Sequence, residues 1–61
     1  MTYSELERRL RDAGCKVVRE GARHRIWYSP ITNEMFPVPR HKTEEVKKGT
    51  LNSILKAAGL K

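Results

Sequence analysis

A chain of 61 residues with a single cysteine must hold itself together with one small hydrophobic core. A domain of this size buries only about 60% of the surface its unfolded chain exposes, so its stability is marginal. The usual staples of small domains are missing. Cys15 has no second cysteine to pair with, which rules out an internal disulfide. Cys15, His24 and His41 do not have the spacing of a zinc site. Cys15 is therefore expected as a small buried apolar residue. One domain over residues 1–61 is expected, with no room for a buried small-molecule cofactor.

The pattern along the chain gives five elements. Thr2-Tyr3-Ser4-Glu5 matches a capping box, and Tyr3, Leu6, Leu10 and Ala13 follow at helical spacing up to Gly14. A helix over about residues 3–12 is predicted. Cys15 to Glu20 is β-branched and charged, and suits a strand. Gly21-Ala22-Arg23 reads as a tight turn, and His24 to Tyr28 as a second strand. Within that strand Trp27 and Tyr28 face opposite ways, so one of them belongs in the core. After a turn at Ser29 to Asn33, Met35 to Pro39 is extended, with Phe36 and Val38 on one face. Its two prolines confine this strand to a sheet edge. Arg40 to Gly49 reads as a polar connection. Thr50 is expected to cap a last helix whose Leu51, Ile54, Leu55 and Ala58 form an apolar stripe before Gly59. The predicted class is α+β in the order α-β-β-β-α, with both helices on one face of a three-stranded antiparallel sheet.

Thirteen Lys and Arg against seven Asp and Glu leave a formal charge of +6. In the first helix Glu5 lies within reach of Arg8 and Arg9, and Asp12 of Arg8, so those charges can offset one another. The excess lies later, at Lys16, Arg19, Arg23, Arg25, Arg40, Lys42, Lys47 and Lys48. Such a surface favours a polyanionic partner, either nucleic acid or an acidic protein face. No stretch approaches the ~20 apolar residues of a membrane span, and the first residues are charged. A cytoplasmic protein with no membrane partner is expected.

Three stretches carry a family resemblance: Gly21-Ala22-Arg23-His24, Val38-Pro39-Arg40-His41, and Gly49 to Leu60. With them, over nearly its whole length, the chain resembles the HicA toxins of toxin–antitoxin pairs. The resemblance implies a fold like the double-stranded RNA-binding domain. It also implies an endoribonuclease that cleaves messenger RNA and so blocks translation, and a HicB-type antitoxin that neutralises it. The family's catalytic histidine falls on His24. Many members carry Ser directly after the glycine, where this chain has Ala22, so no role for a serine is carried over.

The chemistry is consistent with that assignment. RNA can be cut without metal because its 2′-hydroxyl is an internal nucleophile. Histidine suits the removal of its proton, since an unperturbed pKa of ~6.5 leaves much of it neutral near pH 7. Arginine suits the phosphate, which its guanidinium can grip through two oxygens. Arg23 is a candidate for that clamp and Arg25 a weaker one, because alternation sets Arg25 on the opposite face from His24. Arg40, His41 and Lys42 form a basic loop, in which His41 is either a general acid or a solvated phosphate contact. Lys47 and Lys48 flank the start of the last helix, where phosphate is favoured. The acids are too scattered to cradle two metals: Glu5 and Glu7 lie on different helix faces, and Glu44 and Glu45 are adjacent. From the residues alone, His24 is also compatible with an ordinary strand end. Two alternatives thus stay open, a non-catalytic RNA-binding module of the double-stranded type and an interaction protein for an acidic partner.

Overall fold

The computed structural model describes residues 1–41 and 43–61. Helix α1 spans Tyr3–Asp12, strands β1 Lys16–Glu20, β2 His24–Ser29 and β3 Glu34–Pro39 follow, and helix α2 spans Lys48–Ala58. The predicted order α-β-β-β-α is observed. The sheet is an antiparallel meander with β2 in the centre.

The capping box at the start of α1 forms as the sequence indicates. The Glu5 N–H donates to the Thr2 hydroxyl at 3.3 Å, and the Thr2 N–H donates to the Glu5 carboxylate at 3.0 Å. That backbone hydrogen bond, helped by the Thr2 hydroxyl, holds the Glu5 carboxyl below its ordinary value. Glu5 is therefore occupied at the helix start; no ion pair to Arg8 or Arg9 forms among the described residues.

Register explains the core. Trp27 pairs with Phe36, and Arg25 with Val38, so residues 25, 27, 29, 36 and 38 share the face under the helices. Trp27, Phe36 and Val38 are buried there with Leu6 and Leu10 of α1 and Ile54 and Ala58 of α2. Tyr28 is the half-buried member of the Trp27–Tyr28 pair, and its hydroxyl donates to Asn33 on the β2–β3 turn. Cys15 is buried beside the same core. β3 lies at an edge, as its prolines require. β1 shifts register between Val17 and Arg19, which turns Val18 outward.

Three features depart from expectation. Val46, placed by its sequence in a polar connection, is a core residue. The reason is that the segment before α2 is held against the start of the chain. The Val46 N–H donates to the Met1 carbonyl at 2.9 Å, the Tyr3 N–H to the Glu44 carbonyl at 3.0 Å, and Thr2 bridges Glu45. The same tether makes the chain turn early. α2 starts at Lys48 after an extended Lys47, and Thr50 is its third residue rather than its cap. Glu7, which reads as a solvated helix charge, is buried with its carboxylate 3.3 Å from Arg25 and 3.9 Å from Arg11.

The far end of α2 is capped from the β2–β3 hairpin. The Ser29 hydroxyl donates to the Ala58 carbonyl and the Thr32 hydroxyl to the Ala57 carbonyl, each at 2.7 Å. Gly59 makes this possible. Its φ is +81°, and a Cβ there would meet Ile31 Cγ2 at 2.6 Å and Thr32 Cγ2 at 3.0 Å. Gly59→Ala must accept both a left-handed backbone and a clash with β-branched neighbours, so a loss of about 2 kcal/mol is expected. Denaturant titration checks it; a change below about 0.5 kcal/mol, as at ordinary surface sites, would show that the hairpin gives way freely.

Candidate nucleic-acid interface

The turn that presents His24 is built from backbone contacts. The Gly21 N–H donates to the His24 carbonyl at 2.8 Å, and a side chain on Gly21 would crowd that oxygen at 3.3 Å. Arg40, just after β3, closes the turn from the other side. Its backbone N–H donates to the Arg23 carbonyl at 3.2 Å and its guanidinium to the Gly21 carbonyl at 3.1 Å. The Arg40 guanidinium also lies 3.9 Å from Glu20. His24, paired with Pro39 at the end of the sheet, is left exposed.

Two hollows meet at His24. One, of about 430 Å³, lies toward α2 and is lined by Gly49, Thr50 and Ser53 together with Phe36 and Ile54 of the core. The other, of about 600 Å³, is lined by Tyr3, Ala22, Arg23, Arg40, His41 and Lys47. His24 and Pro39 border both, so the imidazole stands on the rim between a basic hollow and the start of a helix.

That helix start is open. Lys47 makes no side-chain cap, and the space beside Gly49 is empty to 4 Å. Its first N–H groups have no helical partner, so the partial positive charge of the helix end is unshielded. Lys47 and Lys48 are exposed beside it. His41 is exposed too; its ring meets Tyr3 edge-on at 6.0 Å, and Nδ1 lies 3.9 Å from the Glu44 carboxylate, a pair that is ionic only when the imidazole is protonated.

The structure thus brings together Arg23, His24, Arg40, His41 and Lys47 around one hollow, with Lys48 next to it in sequence. Arg25 stands apart. It faces the helices, 3.0 Å from Glu20 and 3.3 Å from Glu7, and these two carboxylates take up its charge. Lys42 lies outside the described residues. Sequence reasoning missed the positioning role of Arg40, and also Thr50 and Ser53 as lining of the site: Thr50 reads as a helix cap and Ser53 as an ordinary helix residue. Among the described residues no group of three His, Cys, Asp or Glu side chains is placed to hold a metal ion. Nor is any helix of these residues long and apolar enough to cross a membrane.

Comparison with known proteins places the chain in a family. No curated protein and no solved structure compared with the chain matches it. The sequence model of the HicA toxin of bacterial toxin–antitoxin systems matches residues 3–60, a span that takes in both helices, the whole sheet and every residue around the hollows. A match of that extent leaves no element outside it: the chain belongs to the HicA family, the toxin side of toxin–antitoxin pairs.

Proposed function

We propose that this chain is a metal-independent endoribonuclease that cuts messenger RNA in the cytoplasm, with His24 as general base, and so blocks translation. A HicB-type antitoxin neutralises it in this reading, in keeping with the pairing that the family implies. The observation that carries the proposal is the position of His24, exposed on the rim between a basic hollow and an uncapped helix start.

In this reading the RNA backbone crosses that rim. Arg23, Lys47 and Lys48 offset phosphate charge, and the open N–H groups of α2 donate hydrogen bonds to a phosphate oxygen. His24 takes the proton of a 2′-hydroxyl as its oxygen bonds to phosphorus. The bond from phosphorus to the 5′-oxygen breaks, and that oxygen takes up a proton. His41, which lines the same hollow, is the side chain available to give it. The products are a 2′,3′-cyclic phosphate and a free 5′-hydroxyl. Arg25 takes no part, because Glu7 and Glu20 already hold it.

Cleavage is expected to proceed unchanged in EDTA and to leave cyclic-phosphate ends. Loss of cutting on chelation with recovery in magnesium, or 5′-phosphate products, would show that a metal-activated water does the work.

A further inference from the structure

The α2 surface beyond the site carries charge with no counterpart in the mechanism. α2 has no acidic residue, and Lys56 is exposed on it about two turns beyond Lys48 of the site. Lys48, Asn52 and Lys56 follow at intervals of four, so they form one ridge about 12 Å long down the helix. Lys61, beyond the end of α2, folds back and donates to the Asn52 side chain, which sets a further ammonium on the same ridge.

A third hollow, of about 520 Å³, lies along this ridge and is lined by Asn52, Ser53, Lys56 and Lys61. Ser53 also lines the hollow that holds His24. One path therefore runs from the rim at His24, past Ser53, to the ammonium groups of Lys56 and Lys61. Its cations are in a single file, which matches one phosphate backbone, and α2 offers no carboxylate to repel it.

We infer that the outer face of α2 is a track for single-stranded RNA, which leads the strand away from His24 and grips it at Lys56 and Lys61. The inference rests on the reading of the chain as an RNA-cutting enzyme, and its test is independent of cutting. Binding of a ~20-nucleotide single strand is followed by fluorescence anisotropy across a salt series, on protein carrying His24→Ala so that the RNA stays whole. Each phosphate neutralised on a single strand adds about 0.7 to the slope of log affinity against log salt. Lys56→Gln with Lys61→Gln should make that slope shallower by about 1.4 and weaken binding to every sequence alike.

Arg8→Gln with Arg9→Gln removes the same charge from α1 and should leave the slope nearly unchanged. A slope untouched by the lysine pair overturns the track, and so does an equal drop in the arginine control, which would reflect net charge alone. An equal or larger effect on a duplex of the same sequence would assign the ridge to double-stranded RNA and overturn it as a single-strand track. No measurable RNA binding would overturn both the track and the nuclease. Intact binding with the expected slopes, beside a His24→Ala protein that still cuts, would overturn only the role of His24.

Discussion

His24→Ala is expected to abolish RNA cleavage and growth arrest while leaving the protein folded. Loss of a general base should lower the rate by roughly 10²–10⁴-fold. The fold has little stake in this side chain: it is exposed at the end of β2, and the turn before it is held by backbone groups and by Arg40. A stability change of less than about 0.5 kcal/mol is expected, as at other surface sites. RNA binding should persist, because Arg23, Lys47 and Lys48 remain. His24→Gln should be equally inactive, since it keeps a hydrogen-bonding group without basicity. Circular dichroism, a cleavage assay and growth on induction give the three readouts. If the Ala variant cuts RNA at the wild-type rate, His24 only shapes the site, and a non-catalytic RNA-binding module becomes the better account of the fold.

Glu7→Ala should be the most damaging single change to stability among those considered, at about 3 kcal/mol. Glu7 is 5% exposed, yet it is charged and faces Arg25 and Arg11. Removing one partner of such a pair leaves the other charge buried without full compensation, which costs about 3–5 kcal/mol in deep interiors. Arg25 keeps Glu20 at 3.0 Å, which places this case at the lower end. Arg11 also loses an anchor, and its guanidinium caps the Trp27 ring at 5.2 Å. A chain of this length has a total stability of about 3–9 kcal/mol, so the variant should be partly unfolded at 37 °C. Replacing both partners, Glu7→Leu with Arg25→Met, should cost clearly less than Glu7→Ala, because no orphan charge is left. Were the double change the worse of the two, the ion pair would be a net source of stability.

Much of the fold could be read from the sequence because its signals were local. The capping box at Thr2, the stop at Gly14, the alternation of Phe36 and Val38 and the α2 stripe each depend on neighbours a few residues apart. What could not be read depended on contacts distant in sequence. Val46 looks like one apolar residue in a polar loop until Met1 and Glu45 bring it to the core. Thr50 has the chemistry of a cap, but the cap falls on Lys47 and the same tether starts the helix three residues earlier. Glu7 and Arg25 are 18 residues apart, and no period in the sequence announces that they meet. In the site, the resemblance pointed to His24 and composition gave the basic residues. The division of labour among them came only from the fold: Arg40 closes the turn and Arg25 is neutralised.

The prolines of β3 have a consequence for how this protein can meet others. Pro37 and Pro39 alternate with residues 36 and 38 on an outer strand, and each lacks the N–H that an added strand would need. Growth of the sheet past β3, whether by a second copy or by a stray unfolded chain, is blocked on that side. β1 is the remaining border, and its displaced Val18 breaks the even row of donors and acceptors there. The sheet thus carries its own safeguard against polymerising, written into five residues of outer strand: three at Val17, Val18 and Arg19, and two prolines.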